Sequence, residues 1–232
     1  MGSASKPINF STKGEHVTYS LYYSEHSAAM GARALLEEIG APYHLIWTDI
    51  SSDSVRDPKL LALNPNGWIP VLLWEKGAIY ECGAITIFLC DRHPKTELAP
   101  DALNPKRAAF LQWLFFFSSS LQNAYQMTYY PHRFCASIKE EFSVKDRSRS
   151  RLTELWKVVD DAIGDKLWIL GDQFSAADIY LFMLTTWLSD EHQHPHIATF
   201  PNVKRIADQV IQRPSVRTVY KSYVYPIEDQ TP

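Results

Sequence analysis

Two short segments of this chain combine exposed backbone with polar side chains that could hold a small ligand. The first, from Asn64 to Leu72, reads Asn-Pro-Asn-Gly-Trp-Ile-Pro-Val-Leu and predicts a turn followed by a strand entered through Pro70. The second, from Tyr80 to Ile85, places Glu81 and Cys82 directly before a predicted helix. Free backbone amides and the positive end of the helix dipole favour an anion there. An ordinary capping segment with an acidic first turn is the alternative interpretation.

A third segment, from Leu21 to Arg33, offers two candidate catalytic residues. Ser27 stands at the predicted start of a helix, where its hydroxyl and the following amides could face an anion. His26 precedes it and could donate a hydrogen bond or carry a proton. Both residues also have a purely structural interpretation, because Ser is a favoured N-cap and loop histidines are commonly exposed.

An aromatic run from Trp113 to Phe134 is a candidate wall for an apolar ligand. At helical spacing Phe117, Leu121 and Tyr125 share one face, and Tyr129 lies near it. Such a stripe is more often core than pocket. The Ser, Asn and Tyr residues mixed into it favour a wall with polar groups, suited to an apolar or aromatic ligand.

The histidines at 192, 194 and 196 alternate in a predicted loop between helices. They have no neighbouring cysteine and too few carboxylates to complete a metal site, so we expect only adventitious metal binding and predict no metal cofactor.

The elements that must position these residues fall into two groups. The first half predicts strands and helices in the order βαβ-α-ββα, with Gly40 as the left-handed cap of the first helix. The predicted strands are 17–23, 43–49, 69–73 and 78–80, and the predicted helices that flank them include 27–39 and 82–91. This order is typical of a thioredoxin-like domain.

The second half has helical periodicity throughout, which predicts an all-α helical-bundle domain and an α+β chain overall. Ser175 and Asp178 form a predicted capping box at the start of an apolar helix. The predicted helices are 106–127, 139–163, 175–190 and 203–212. We therefore predict a flexible N-terminal extension at 1–16, a first domain at 17–93, a linker at 94–105 and a helical domain at 106–232.

These motifs resemble the cytosolic glutathione transferase family, and the resemblance extends from the first strand to Val203. It implies that the Ile69–Pro70 peptide is cis and that Ile69 pairs with the cysteinyl unit of glutathione as an added strand would. It also implies that Trp68 flanks the glycyl end and that Glu81 and Cys82 hold the γ-glutamyl amine and carboxylate. Glutathione is thus the expected co-substrate. The resemblance further implies that Ser27 or His26 stabilises its thiolate and that the aromatic run forms the pocket for the electrophile.

Two positions depart from the family pattern. The segment after the first strand is similar to the bacterial Leu-Tyr-Tyr-Ser-Pro-Gly-Ser-Cys-Ser, but Ala28 replaces the cysteine, so a mixed disulfide at this place is unavailable. Cys82 stands where the family usually has Ser, and a thiol is a weaker hydrogen-bond donor. One hypothesis is that Cys82, at a helix N-terminus, has a lowered pKa and forms a mixed disulfide with glutathione; a structural substitution is the alternative.

Composition limits the range of functions. The chain has 232 residues, of which 46% are hydrophobic, and a net charge of -3, which gives no broad attraction to nucleic acid or to an anionic membrane. Cys82, Cys90 and Cys135 have no CxxC spacing, which argues against disulfides and structural zinc and suits a reducing cytosol. No segment predicts a signal peptide or a membrane span, so we expect a cytoplasmic protein.

The resemblance implies a homodimeric glutathione transferase that adds the glutathione thiolate to a hydrophobic, aromatic electrophile. One alternative is a glutathione-dependent lyase or isomerase, for example one that cleaves an aryl ether. Another is a glutathione-binding protein that lost its chemistry together with the cysteine.

Overall fold

The computed structural model describes residues 18–51, 54–221 and 223. The predicted extension at 1–16 lies outside these residues. The elements of the first domain are β1 (Tyr19–Tyr23), α1 (Ala29–Ile39), β2 (Tyr43–Trp47), α2 (Pro58–Leu63), β3 (Val71–Trp74), β4 (Gly77–Tyr80) and α3 (Cys82–Arg92). This order confirms the predicted βαβ-α-ββα arrangement.

The four strands form one mixed sheet in the order β2-β1-β3-β4. β1 is parallel to β2 and antiparallel to β3, so Leu21 has Leu45 on one side and Leu72 on the other. Alternate β1 residues point to opposite faces: Leu21 joins the main core, whereas Tyr22 packs with Leu60 of α2. The sheet is thus covered on both faces, and its central strand leads directly into the segment before α1.

The second domain is helical, as expected. Its helices are α4 (Arg107–Phe115), α5 (Gln122–Tyr129), α6 (Glu141–Ile163), α7 (Ala176–Thr185), α8 (Pro201–Val210) and α9 (Pro214–Val219). α9 was not predicted, and α7 ends five residues before the predicted Asp190. No helix in the described part of the chain combines the length and the apolarity that crossing a bilayer requires.

α7 is the central helix of this domain, because every one of its residues is buried. The capping box at its start is confirmed. The Asp178 carboxylate accepts hydrogen bonds from the amides of Ser175 and Ile169, each at 2.9 Å. Burial nevertheless raises the pKa of Asp178 to about 6, against the lowering effect of these hydrogen bonds.

The predicted continuous helix 106–127 is wrong in one respect: a π-helical turn, Phe116–Leu121, separates α4 from α5. The Ser119 hydroxyl donates to the Phe115 carbonyl at 2.7 Å, and Ser118 donates to the same oxygen at 3.3 Å. These two hydroxyls supply hydrogen-bond donors to the Phe115 carbonyl at the point where the hydrogen-bond pattern of the helix changes. The wider turn changes the direction in which the residues of α5 face relative to those of α4.

The two domains meet where α1 packs against α7 and α9. Gly31 lies against Met183, and a Cβ atom at position 31 would be 2.5 Å from the Met183 sulfur. On the α9 side, Glu38 accepts from both Arg213 and Ser215. α1 therefore holds the first domain against the second and fixes the width of the cleft at its own N-terminus.

Candidate functional site

A cavity of about 340 Å³ opens between the two domains at the start of α1. The first domain contributes residues from the segment before α1, from the loop after β2 and from the segment before β3, while the second contributes α5, the end of α7 and the C-terminal segment. Six sequence-predicted site residues line it: His26, Ser27, Trp68, Ile69, Tyr125 and Tyr129. The structure thus brings together most of the predicted catalytic, glutathione-side and electrophile-side residues.

The Ser27 hydroxyl is engaged in local structure. It donates to the Ser24 carbonyl at 2.7 Å and accepts from the Ala29 amide at 3.2 Å. Its only proton is therefore already used, and donation to a ligand sulfur would require this bond to break. The N-cap of α1 is Ala28 and not the predicted Ser27, but the Ser27 hydroxyl still bonds to the amide of the first helical residue, Ala29, and so supports the turn that leads into α1.

His26 is placed differently. It is exposed, and its backbone adopts a positive φ of 56°. Its amide contacts the Met30 sulfur at 3.2 Å, which ties the residue to the first turn of α1. The imidazole is therefore a polar group of the cavity wall beside the amides of a helix N-terminus.

The segment before β3 is held by side chains that bind its carbonyls. The Ile69–Pro70 peptide is cis, as predicted. The buried Asn64 donates to the Trp68 carbonyl at 2.9 Å, and Arg56 donates to the Gly67 carbonyl at 3.2 Å. These bonds hold the backbone on either side of Trp68, so Ile69 is presented to the cavity by a fixed loop.

Glu81 and Cys82 do not line the cavity among the described residues, but they form the start of α3 on the same domain. Glu81 is exposed and has φ 74° and ψ 122°, a conformation that non-glycine residues rarely adopt. Such outliers persist where the surroundings fix them and often accompany binding sites. The Glu81 side chain remains a candidate partner for a ligand amine.

The hypothesis of a reactive Cys82 is wrong. Its thiol is buried against Gln122 and Tyr180, and the Tyr180 hydroxyl donates to Gln122 at 2.7 Å. Burial, reinforced by the nearby Glu81 charge, raises the pKa of Cys82 to about 12. A buried neutral thiol neither attacks nor exchanges with a disulfide at neutral pH, so only the structural interpretation of this residue stands.

Phe117 and Leu121 do not line the cavity, in contrast to the prediction. Both are fully buried in the core, because the π-helical turn interrupts the spacing that was used to extend one face from position 117 to position 125. The α5 face that reaches the cavity carries Tyr125 and Tyr129 together with Gln122 and Gln126. Ordinary helical spacing within α5 would have identified the two glutamines, because positions 122 and 126 lie on the same helix face as 125 and 129.

The tyrosines of α5 have different surroundings. The buried Tyr125 hydroxyl donates to the Leu184 carbonyl and accepts from the Trp156 indole, both at 3.0 Å. Tyr129 is 39% exposed and donates to the Trp187 carbonyl at 3.1 Å. Burial and the nearby Glu191 carboxylate raise the pKa of Tyr129 to about 12, so this phenol stays protonated at neutral pH.

Arg133 was not predicted as a site residue. It follows α5 in a short 3-10 turn, Pro131–Arg133, and its guanidinium lies 4.1 Å from the ring centre of Tyr130 and 4.9 Å from that of Trp68. The other cavity residues that sequence reasoning missed include Arg56, Tyr130, Thr186, Trp187, Tyr220 and Tyr223. They come from distant parts of the chain, and no local motif marks them.

The three alternating histidines do not all lie on an exposed loop. His194 is buried, with ring nitrogens 3.1 Å from the Trp187 carbonyl and 3.2 Å from the Thr128 hydroxyl. Burial, with the charges of His192 and Arg149, lowers the pKa of His194 to about 4. Within the described residues, no group of three or more His, Cys, Asp or Glu side chains is arranged to hold a metal ion.

Comparison with protein families gives matches in both halves of the chain. The model described as glutathione S-transferase, N-terminal domain matches residues 27–92, and the one described as glutathione S-transferase, C-terminal domain matches residues 143–221. Together the two models cover more than half of the chain, including both walls of the cavity in part.

Individual proteins agree with these matches. Glutathione S-transferase GstA of Escherichia coli O157:H7 is 27% identical over 72% of this chain and 81% of its own length. Disulfide-bond oxidoreductase YfcG of Escherichia coli K12 is 26% identical over 84% of this chain and 91% of its own length. The structure of a glutathione transferase family member from Pseudomonas fluorescens pf-5 with two glutathione bound is 25% identical, with a TM-score of 0.74 over 87% of this chain and 91% of the other.

Proposed function

Because the chain belongs to the glutathione S-transferase family, we propose that it adds the thiolate of glutathione to a hydrophobic, aromatic electrophile. The observation that carries the proposal is the cavity between the domains. One wall has the start of α1 and the Ile69 backbone, and the other has the aromatic rings of the helical domain.

In this proposal the first domain seats glutathione. The backbone of Ile69 pairs with the cysteinyl unit, Trp68 flanks the glycyl unit, and Pro70 holds the turn behind them. Glu81 takes the γ-glutamyl amine, and the backbone amide of Cys82 takes the adjacent carboxylate at the start of α3. The fixed loop and the exposed Glu81 carboxylate support this assignment.

The start of α1 has the task of favouring the thiolate. The thiol releases its proton, the thiolate forms a bond to the electrophilic carbon, and the leaving group departs with the electron pair of the bond that breaks. The positive end of the α1 dipole and the His26 ring stabilise the negative sulfur, while the engaged Ser27 hydroxyl keeps the turn in place.

Two measurements test the proposal. Calorimetry with glutathione and turnover of chlorodinitrobenzene should both be positive. Binding without turnover would favour the lyase or the non-catalytic alternative, and no binding would contradict all three.

Thiolate stabilisation is tested separately by the ultraviolet absorbance of bound glutathione as a function of pH. His26→Ala should raise the pKa of the bound thiol, and Ser27→Ala should change it less. The reverse order would return the catalytic role to Ser27, and no change in either variant would refute both side-chain assignments.

The oligomeric state, compartment and cellular role are proposed by analogy with the family. We infer a homodimer in the cytoplasm with a role in detoxification. Sedimentation of the purified protein tests the dimer, and a single species with the mass of one 26.6 kDa chain would contradict it.

A further inference from the structure

Arg133 differs from the other arginines whose guanidinium groups lie over aromatic rings. Arg92, Arg107 and Arg213 each also form an ion pair, with Glu75, Asp91 and Glu38 respectively. Arg33 donates to the hydroxyls of Tyr43 and Tyr23. Among the described residues, no carboxylate or carbonyl accepts a hydrogen bond from the Arg133 side chain. Of these five arginines, Arg133 is therefore the one whose guanidinium N–H groups remain available to a ligand.

The guanidinium carbon of Arg133 lies over two aromatic rings, and the side chain is otherwise exposed. Tyr130 and Trp68 lie against the guanidinium, one from each domain. A guanidinium stacked on rings keeps its N–H groups pointing outward in the plane, where they match the two oxygens of a carboxylate. The stacking also reduces the conformational entropy that a free arginine loses on binding.

The charge of the cavity wall also favours an anionic ligand. The lining residues include Arg56 and Arg133 and, within the described part of the chain, no aspartate or glutamate. The two arginines are not equivalent, because Arg56 directs its donors to the carbonyls of residues such as Gly67 and Asp49. Arg133 lies on the helical side, next to the tyrosines that form the proposed electrophile wall.

We propose that Arg133 binds a carboxylate carried by the electrophile, so that the preferred acceptors of this protein are acidic aromatic compounds. The inference rests on the proposed function, because it names the substrate class of the same cavity. The aromatic body of the acceptor packs against Tyr129 and Trp187, and its carboxylate receives the Arg133 donors at the mouth. The glycyl carboxylate of glutathione is the other source of the same chemistry, and the experiment distinguishes the two.

The experiment uses conjugates in which the acceptor is already attached to glutathione, so it needs no turnover. Calorimetry compares S-benzylglutathione with its ring-carboxylated analogue on the wild type, Arg133→Gln, Arg133→Lys and Arg147→Gln. Arg147 is an exposed arginine of α6 outside the cavity, so Arg147→Gln controls for the loss of one charge.

The wild type should bind the carboxylated conjugate about tenfold more tightly than the neutral one at low salt. Arg133→Gln should reduce that ratio to about one, Arg133→Lys should keep part of it, and Arg147→Gln should leave it unchanged. Thermal unfolding of each variant shows that the comparison is made between folded proteins.

Two results would overturn the inference while the proposed function stands: equal affinity of the wild type for both conjugates, or an unchanged ratio in Arg133→Gln. A third arm replaces glutathione by its glycyl ethyl ester. If Arg133→Gln weakens the binding of glutathione but not of the ester, the carboxylate is that of glutathione and the acceptor assignment is wrong. Failure of the neutral conjugate to bind the wild type would instead contradict the proposed function together with the inference.

Discussion

The two walls of the cavity differ in the kind of group that each presents: mostly backbone atoms on one side and side chains on the other. On the first-domain side most of the important groups are backbone atoms, namely the Ile69 segment, held through its neighbouring carbonyls by Asn64 and Arg56, and the start of α1. The Glu81 carboxylate and the His26 ring are the polar side chains assigned to glutathione there. On the helical side they are side chains, among them Tyr125 and Arg133, supported by contacts with residues far away in sequence.

This difference has a consequence for specificity. A backbone wall changes little when individual side chains are substituted, provided that the turn is kept, so it suits a ligand that is always the same. A side-chain wall changes with each substitution, so it suits a ligand that differs between relatives. We therefore expect substitutions on the first-domain side to affect glutathione binding, and substitutions on the helical side to affect stability and acceptor choice.

Glu81→Gln should have the largest effect, because it tests the one charged side chain assigned to the glutathione wall. Loss of a charge-assisted hydrogen bond to the γ-glutamyl amine should weaken glutathione binding roughly 10- to 100-fold. Calorimetry measures this. The matched control is Glu97→Gln, since Glu97 is also exposed with a positive φ, of 55°. Equal affinities of the two variants would remove Glu81 from the site.

Tyr125→Phe should chiefly affect stability, because it leaves the Trp156 indole and the Leu184 carbonyl without the hydroxyl that now bonds to both. We expect the free energy of unfolding to fall by about 2 kcal/mol. Urea denaturation measures it. Tyr129→Phe makes the same change on the same helix at a partly exposed position and should cost less. If Tyr125→Phe reduced the free energy of glutathione binding by more than it reduced the free energy of unfolding, the assignment of glutathione binding to the first-domain wall would be contradicted.

His194 should make the helical wall sensitive to acid. The folded protein keeps this ring neutral down to a pKa of about 4, whereas the unfolded chain binds a proton near pH 6.5. The contribution of the neutral His194 ring to the free energy of unfolding is therefore fully present above pH 6.5 and is lost as the pH falls towards 4. At pH 5.5 the loss is about 1.4 kcal/mol.

The measurement is the difference in unfolding free energy between the wild type and His194→Gln, at pH 7.5 and at pH 5.5. The difference isolates His194 from Asp178, whose raised pKa of about 6 makes the protein more stable as the pH falls. His44→Gln, at an exposed position in β2, is the control. If His194→Gln retains the acid sensitivity of the wild type, His194 is not its source.

Ser27→Ala should have the smallest effect of these substitutions. The hydroxyl bonds to the Ser24 carbonyl and to the Ala29 amide in the turn that leads into α1, so its removal should lower the free energy of unfolding by about 1 kcal/mol. Ser24→Ala removes a neighbouring hydroxyl and keeps the carbonyl that Ser27 uses. Unchanged stability combined with a large loss of turnover would show that Ser27 belongs to the chemistry of the site and not to its support.

The sequence predicted much of the first wall because local patterns control it. The strands and the first helix begin and end within about two residues of the predicted bounds at most positions, and Gly40 forms the left-handed cap with φ 71°. Gly67, Ile69 and Pro70 lie within a few residues of one another, so one motif specified the turn that presents Ile69.

The second wall was predicted poorly because distant residues determine it. Arg133 contacts Trp68 across more than sixty positions of sequence, and no local pattern records that contact. The burial of Cys82 likewise depends on Tyr180 of α7. The serines at 118–120 were interpreted as polar groups of a regular helix, whereas two of them bond to the carbonyl at the start of a wider turn.

The π-helical turn also suggests how this cleft could change during evolution. Such a turn holds one more residue than an α-helical turn closing the same span, and an insertion or deletion of a single residue interconverts the two. Because the wider turn takes up the extra residue, a change of that kind would leave the residues of α5 facing as they do now, whereas a one-residue change that the turn did not absorb would rotate α5 by about 100°. The π-helical turn thus lets the length of this segment change by one residue while Gln122, Gln126 and Tyr129 keep their places on the cavity wall.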